Sequence, residues 1–195
     1  MPEGNRPWDV LLIGGPSGSG KTSVSYPIAR RFGVALTEVD DMHITALTLT
    51  TPEQQPALHY WRTHPEAIDL PPEKILDLFI DTCRALQPAV TAVIENHLEM
   101  DTPVVLEGDY ILPEVLAGDP WRGRVRGVFV YEPDAEAIVS NFAAREPHEG
   151  EQTKRAHVSR LHADWLRAEC ARHGVPAVPA RPWDTAVDRV IAAAG

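Results

Sequence analysis

Short apolar runs recur along the chain, separated by longer stretches in which apolar residues fall three or four positions apart. A short uninterrupted apolar run is typical of a strand in a parallel sheet, because both faces of such a strand are covered by protein. The segments predicted as strands are residues 10–13, 34–39, 103–107, 126–131 and 175–178.

Helical periodicity fills the intervals between the predicted strands. Between residues 73 and 99, apolar side chains such as Ile75, Phe79 and Leu86 recur with the spacing of an amphipathic helix. Pro88 lies inside this stretch and predicts a kink or a division into two helices, because proline lacks a backbone N–H group. The other predicted helices cover residues 22–32, 133–145, 151–173 and 185–194.

The alternation of strands and helices predicts a single α/β domain over residues 1–195, with a parallel sheet and helices on both faces. The length of 195 residues is sufficient for one domain with a substantial core. Residues 43–72 interrupt the alternation with several prolines and aromatic residues. We expect this segment to form a mostly helical insertion over the mouth of the site.

The most specific motif follows the first apolar run. The residues Gly15-Pro16-Ser17-Gly18-Ser19-Gly20-Lys21-Thr22 match the phosphate-binding pattern G-x-x-x-x-G-K-[ST]. The glycines allow a tight turn that points successive N–H groups at one anion, and the following helix adds its positive end. Lys21 would reach the β- and γ-phosphates, and the Thr22 hydroxyl would ligate Mg²⁺. The strand, loop and helix predict a three-layer P-loop NTPase fold that binds ATP and Mg²⁺.

Further polar residues follow other predicted strands, where ligands bind in an open parallel sheet. Asp40 is placed to accept a proton from a substrate hydroxyl, although an aspartate there could also cap a helix. The neighbouring Asp41 is an alternative base, a cap or a substrate contact. Glu107 has the position of an acidic residue that orients Mg²⁺ or its water. The predicted acceptor contacts are Asp41, His43, Asp109 and Tyr110.

A mobile lid is predicted over residues 145–157. Arg145 would neutralise charge that develops on the transferred phosphoryl group, and the lid would exclude water. Lys154, Arg155 and Arg160 follow, and they could contribute or simply form a solvated basic face. Arg181, just before Trp183, is placed to contact the adenine ring of the nucleotide.

Composition narrows the classes of partner. The net charge of −10 argues against a nucleic acid duplex, which would favour a basic face. Cys83 and Cys170 lie far apart and form no metal or redox motif, so reduced thiols in a cytoplasm are expected. No apolar run is long enough to cross a bilayer, so no membrane partner is expected. We expect a cytoplasmic monomer or homodimer.

With these residues in hand, the chain resembles the P-loop small-molecule kinases over nearly its whole length. The segment Val39-Asp40-Asp41-Met42-His43 is similar to the G-D-x-L-H motif of gluconate kinases and to the T-D-x-x-R motif of 2-phosphoglycerate kinases. Residues 104–113 resemble the V-I-E-G-x-H-x-x-P segment of 2-phosphoglycerate kinases, and Gln87-Pro88-Ala89 also fits that family. The resemblance implies ATP-dependent phosphoryl transfer with an acidic residue at Asp40.

The chain departs from the 2-phosphoglycerate kinase pattern at two positions. His43 stands where those kinases have arginine, and Tyr110 stands where they have histidine. The resemblance therefore implies phosphoryl transfer to a hydroxyl group of a small molecule. The acceptor could be 2-phosphoglycerate, a sugar acid, or an antibiotic, as in the chloramphenicol phosphotransferases.

Other functions remain open from the sequence. A nucleoside monophosphate kinase would share the fold, but it usually needs several arginines for the acceptor phosphate, and only Arg62 and Arg84 lie between His43 and Glu107. A non-catalytic ATP-binding regulatory module is a second alternative. A kinase-type toxin that acts on a nucleotide sugar is a third.

Overall fold

A five-stranded sheet forms the centre of the computed structural model, which describes residues 6–195. The strand order is β2-β3-β1-β4-β5, and every neighbouring pair is parallel. The predicted α/β fold with a parallel sheet is confirmed, and the strand bounds differ from the predicted ones by a few residues. The strands are β1 (Val10–Gly14), β2 (Ala35–Glu38), β3 (Val104–Gly108), β4 (Val125–Tyr131) and β5 (Ala177–Pro179).

Helices connect successive strands and cover both faces of the sheet. Residues 43–72 are mostly helical, as predicted, and two short 3₁₀ helices occupy Pro65–Asp69 and Pro113–Leu116. None of the helices within residues 6–195 has the length and apolar character that crossing a membrane requires. The α-helices are α1 (Lys21–Phe32), α2 (Val39–Leu49), α3 (Pro56–Thr63), α4 (Pro72–Glu99), α5 (Ala135–Arg145), α6 (Thr153–His173) and α7 (Trp183–Ala193).

The buried side chains of β1 show how the two layers of helices pack. Leu12 belongs to an apolar cluster with residues of α4 and α6, such as Leu86 and Leu166. Leu11 points to the opposite face and packs in a second cluster with residues of α1 and α7, such as Ile28. Since both faces of β1 are buried, its continuous apolar run follows from its central place in the sheet.

The strand order brings two loops together at one edge of the sheet. β1 lies between β3 and β4. Its last residue, Gly14, is in register with Gly108, the last residue of β3, and with Phe129 of β4, which continues to Tyr131. From β1 the chain continues to β2 at one edge of the sheet, and from β3 it continues to β4 on the other side of β1. The segments that follow β1 and β3 therefore start side by side, which positions the candidate site.

Two sequence-based expectations about this region need correction. The predicted strand 34–39 ends at Glu38, and Val39 already starts α2. Asp40 and Asp41 consequently lie in the first turn of a helix. The predicted division of the 73–99 stretch at Pro88 is wrong, because α4 is a single helix of 28 residues that contains Pro88.

The ring of Pro88 is tolerated because it lies on the exposed side of α4. The Gln87 side-chain amide also donates hydrogen bonds to the carbonyl groups of Cys83, at 2.9 Å, and Tyr110, at 2.8 Å. The neighbouring side chain thus secures the helix at the turn where proline removes a backbone donor.

Replacing Pro88 with alanine should stabilise the protein. The substitution restores a helix N–H group and removes the clash of the proline ring, and both changes stabilise the folded protein. Alanine also makes the unfolded chain more flexible, so the net gain in stability is smaller than the cost of proline in a helix. We expect the free energy of unfolding to rise by about 1 kcal/mol in urea denaturation. Glu95→Ala, at an exposed position of the same helix, should change it by less than about 0.5 kcal/mol. A loss of stability in Pro88→Ala would contradict this account.

Candidate active site

The phosphate loop depends on glycine at two positions for different reasons. Gly15 has φ 145°, and a Cβ atom there would lie 2.0 Å from the carbonyl oxygen of Val130. Gly20 has φ 86°, and a Cβ atom there would lie 2.0 Å from the ring of Trp183. No side chain caps the first turn of α1, which begins at Lys21, so its N–H groups can bind an anion. The loop has the geometry that the sequence motif predicts.

Lys21 is buried at the centre of this loop. Its Nζ atom donates a hydrogen bond to the carbonyl oxygen of Pro16 at 3.0 Å and forms an ion pair with Asp109. Asp109 was predicted as an acceptor contact, and the structure places its carboxylate on the loop lysine. The phosphates of a nucleotide would compete with Asp109 for the ammonium group of Lys21.

A hydroxyl group and a carboxylate lie side by side next to Lys21. The Thr22 Oγ1 atom donates to Glu107 Oε2 at 3.3 Å, and Glu107 is buried at the end of β3. Burial raises the pKa of Glu107, and the positive charge of Lys21 opposes this effect. Oxygen ligands of this kind suit Mg²⁺. Within residues 6–195, no cluster of three or more acidic, histidine or cysteine side chains could hold a metal alone, so phosphate oxygens would have to complete the coordination.

Asp40 faces the same group of charges from the first turn of α2. Loss of hydration is the main cause that raises the pKa of Asp40 to about 6, and the negative charge of Asp109 adds to it, while Lys21 acts in the opposite direction. Asp40 and Asp41 are both exposed residues of this turn. A carboxylate with a pKa near 6 suits a base at neutral pH.

Two arginines from the predicted lid approach the phosphate loop from the other side. Nitrogen atoms of Arg145 and Arg155 lie 3.4 Å and 3.5 Å from Ser17 Oγ. Both guanidinium groups also pack over the ring of Phe142, at 5.2 Å and 4.4 Å from its centre. The structure thus brings Arg145 and Arg155 together beside Ser17 of the phosphate loop.

Glu146 holds this arginine pair together. Its two oxygen atoms accept from Arg145 at 2.7 Å and from Arg155 at 2.5 Å, and Gln152 donates a further hydrogen bond at 3.0 Å. Loss of hydration acts to raise the pKa of Glu146, but the hydrogen bonds from Gln152, Arg145 and Arg155 lower it to about 2. Sequence reasoning missed Glu146, because its pairing with Arg155 exists only once α5 and α6 are packed together.

The other basic residues of the lid region contact other parts of the molecule. The Lys154 ammonium group donates to the carbonyl oxygen of Ile68 at 2.7 Å, which connects the start of α6 to residues 43–72. Arg160 donates to the carbonyl oxygen of Pro133 and pairs with Asp164. Neither contact places these two cations at the phosphate loop.

Arg181 lies beside the loop but is engaged by a carboxylate. Its Nε atom donates to the buried Glu132 at 2.7 Å, and its guanidinium group lies over the Trp183 ring, 5.5 Å from its centre. Trp183 itself packs on Gly20 and lines a pocket of about 410 Å³ together with Lys21, Asn141 and Arg145. The structure therefore makes Trp183 the wall of this pocket and Arg181 its support.

Asn141 is a further residue that the sequence did not reveal. Its side-chain amide donates to the carbonyl oxygen of Gly18 at 2.9 Å and so fixes the phosphate loop to α5. Asparagine is a common residue on the exposed surface of a helix, so only the packing of α5 against the loop could identify this contact.

The predicted acceptor contacts His43 and Tyr110 pack against each other close to Asp109. Their ring centres lie 4.6 Å apart. Phe79 of α4 lies 5.3 Å from Tyr110, and His162 of α6 lies 5.2 Å from Phe79. Phe79 and His162 were not predicted here, because their sequence positions are indistinguishable from ordinary core positions of α4 and α6.

The sheet order, the phosphate loop and the surrounding helices together define the fold of the P-loop small-molecule kinases. A gluconokinase from Sinorhizobium meliloti 1021 matches with a TM-score of 0.58 and 21% identity, over 96% of this chain and 91% of that chain. A shikimate kinase from Acinetobacter baumannii, in complex with shikimate, matches with a TM-score of 0.51 and 15% identity, over 95% and 90% of the two chains. The predicted fold is confirmed by these structures.

Curated relatives are similar in sequence as well. The 2-phosphoglycerate kinase of Methanothermobacter thermautotrophicus is 25% identical over 93% of this chain, and the chain spans 64% of that protein's length. The 2-phosphoglycerate kinase of Pyrococcus furiosus is 26% identical over 53% of this chain, which corresponds to 36% of its own length. No known protein-family profile matches the chain.

Removing the charge of Glu146 should weaken nucleotide binding. Glu146→Gln keeps a side chain of the same size but loses the carboxylate that orients Arg145 and Arg155 beside Ser17. A charge-assisted hydrogen bond contributes about 1.5–3 kcal/mol, so we expect the Kd for ATP to rise about tenfold. The change can be measured by isothermal titration calorimetry with ATP, which does not depend on separating Trp183 from the four other tryptophans.

Glu149→Gln is the matched control for this prediction, because Glu149 is an exposed glutamate in the same loop. It should leave the Kd for ATP unchanged. Equal ATP affinity in Glu146→Gln and the unmodified protein would show that the ion pairs do not position the arginines for the nucleotide.

Proposed function

We propose that this protein is an ATP-dependent phosphotransferase that moves the γ-phosphoryl group of ATP to a hydroxyl group of a small molecule. The observation that carries the proposal is the position of Asp40. Asp40 lies in the first turn of α2, near enough to Lys21 of the phosphate loop and to Asp109 for both charges to act on it, and its pKa is raised to about 6. A module that only binds ATP has no need of a base there, whereas transfer to an alcohol requires one.

Each side chain of the site has a role in this reaction. The acceptor oxygen forms a bond to the γ-phosphorus, the bond to the oxygen that bridges the β- and γ-phosphates breaks, and the acceptor proton passes to the Asp40 carboxylate. Lys21 would hold the β- and γ-phosphates, and Arg145 and Arg155 would face the oxygens of the transferred group. The products are ADP and a phosphate monoester.

A bound Mg²⁺ would neutralise phosphate charge and orient the triphosphate. Thr22 and Glu107 are the residues that would hold it, since their oxygen atoms lie together beside the loop. Asp109 would release Lys21 to the phosphates and then lie between the nucleotide and the acceptor side. Arg181 would act on the nucleotide through Trp183, which it supports from outside the pocket.

The relatives named 2-phosphoglycerate kinase support this class of reaction. They give less support to 2-phosphoglycerate as the acceptor of this protein. His43 and Tyr110 stand at the two positions where 2-phosphoglycerate kinases have arginine and histidine. A nucleoside monophosphate kinase is less well supported, since such kinases usually use several arginines for the acceptor phosphate and Arg62 is the one arginine in the described part of the chain whose charge acts on His43.

The direct test is release of ADP from Mg²⁺-ATP in the presence of hydroxyl compounds. An acceptor should stimulate ADP release, and Lys21→Ala should remove that stimulation because the triphosphate loses its main cationic contact. An ATP-binding protein in which no acceptor stimulates ADP release would contradict the proposal.

Asp40→Asn should separate a catalytic role from a structural one. Asparagine keeps the shape of the side chain, but its amide cannot act as the base that takes the acceptor proton. We expect turnover to fall at least about 100-fold, with ATP binding unchanged. A structural role predicts instead that Asp40→Asn unfolds more easily than the unmodified protein while each folded molecule keeps its turnover.

The stability of Asp40→Asn at pH 7 should be equal to that of the unmodified protein or higher. A carboxyl whose pKa is higher in the folded than in the unfolded state destabilises the folded protein above both values, and this cost disappears as the pH falls below the unfolded value. For a side chain with exposed surface we expect a gain of at most about 1 kcal/mol. Urea denaturation at pH 7 and pH 4 measures it, and the gain should be smaller at pH 4.

Turnover should also depend on pH through Asp40. The base is active when ionised, so kcat/KM should fall on the acid side with a midpoint near pH 6. Measuring kcat/KM for the acceptor between pH 5 and pH 8, at a saturating nucleotide concentration, checks this prediction. A rate that stays constant down to pH 5 would exclude Asp40 as the base.

A further inference from the structure

Four rings from four different elements form a continuous wall beside the reacting groups. His43 comes from α2, Tyr110 from the segment after β3, Phe79 from α4 and His162 from α6, and the neighbouring ring centres lie 4.6, 5.3 and 5.2 Å apart. We call these four residues the ring wall. Neighbouring ring planes are tilted by 38° and 45° or meet edge-on at 77°, so the four rings form an uneven apolar patch against which an apolar group can pack.

The ring wall borders the proposed reaction centre directly. Tyr110 follows Asp109, whose carboxylate holds Lys21. Burial raises the pKa of Tyr110, and the negative charges of Asp40 and Asp109 add to this effect. The ring wall therefore lies close to Asp40 and Asp109, and none of its four residues lines the pocket that Trp183 borders.

The backbone beneath the ring wall is fixed by α4. Gln87 donates to the carbonyl oxygen of Tyr110 at 2.8 Å, and the thiol of Cys83 lies 3.9 Å from the carbonyl oxygen of Asp109. These contacts hold Tyr110 in one place, so the wall can present a defined surface to a ligand.

Two imidazole nitrogens of the ring wall have no partner. Among residues 6–195, the Nε2 atoms of His43 and His162 are buried and make no hydrogen bond. His162 is only 3% exposed, and leaving a buried polar atom unpaired costs free energy. A ligand with hydroxyl or amide groups would supply the missing partners.

The electrostatic surroundings disfavour an acidic ligand. Burial lowers the pKa of His43, and it lowers the pKa of His162 to about 4, so both imidazoles are neutral at pH 7. Asp40 and Asp109 place negative charge next to the wall. Lys21 would be occupied by the nucleotide phosphates. Arg62, an exposed residue of α3, is the cation whose charge acts on His43.

We propose that the acceptor is an uncharged hydroxyl compound that carries neither a phosphate nor a carboxylate group and packs an apolar group against the ring wall. This inference rests on the proposed function and specifies its substrate class. His43 and His162 bind the hydroxyl or amide groups of the acceptor, and Asp40 takes the proton of the hydroxyl that reacts. The phosphate monoester formed would be repelled by Asp109, and by Asp40 once Asp40 has released the proton, which favours departure of the product.

Acceptors matched in size but not in charge test the proposal. Transfer from [γ-³²P]ATP should be measured with glycerol, glycerate and 2-phosphoglycerate, and with phenylethylene glycol and phenyllactate. Neutral sugars, paired with their sugar acids and sugar phosphates, extend the series. We expect kcat/KM to be at least about tenfold higher for the neutral member of each set, with the aromatic diol above glycerol.

Variants of the ring wall test whether the histidines bind the acceptor. His162→Phe keeps the ring and loses the nitrogen, so KM for the best neutral acceptor should rise about tenfold, while the Kd for ATP stays the same. His162→Gln, which can still form a hydrogen bond, should recover part of the loss. His43→Phe gives a second measurement on a less buried residue. His157→Phe, at an exposed position of the same helix, is the control and should change neither value.

The outcomes separate this inference from the proposed function. A preference for the phosphorylated or carboxylated members, reduced by Arg62→Ala, would overturn the acceptor class but leave the kinase proposal standing. Transfer to no member of any set, with ATP still bound, would overturn both. A KM for the neutral acceptor that is the same in His162→Phe, His43→Phe and the unmodified protein would exclude the ring wall as its binding surface.

Discussion

The ion pair between Lys21 and Asp109 joins the two halves of the site. Lys21 belongs to the loop after β1, and Asp109 follows β3, so the pair depends on the register that sets Gly14 beside Gly108. The same register brings Thr22 to Glu107. Because β1 and β3 are neighbours although the chain forms β2 between them, one parallel pairing assembles the cationic, acidic and hydroxyl groups of the site.

The site divides into a cationic side and an acidic side. Arg145 and Arg155, held by Glu146, face the phosphate loop, where a triphosphate would bring negative charge. Asp40 and Asp109 lie on the other side, next to rings that carry no charge. This arrangement favours a triphosphate on one side and a neutral compound on the other, and it explains how a chain with a net charge of −10 can bind a nucleotide.

Sequence patterns predicted the parts of the fold that follow from local chemistry. The apolar runs identified the strands, and the glycine motif located the phosphate loop, because both patterns reflect constraints within a few residues. The patterns did not locate the ends of all elements. They predict Asp40 directly after a strand that ends at Val39, whereas Val39 is the first residue of a helix. Glu146, Asn141 and His162 were missed, because their partners are more than five residues away or on other elements and become neighbours only through packing.

The fate of the γ-phosphoryl group tests the central claim most directly. In ³¹P NMR of the protein with Mg²⁺-ATP and a neutral hydroxyl acceptor, the account predicts a phosphate monoester signal that grows in equal amount with ADP. The growth should disappear in Asp40→Asn. Formation of inorganic phosphate and ADP alone, with no monoester and no dependence on the acceptor, would contradict phosphoryl transfer to a hydroxyl group.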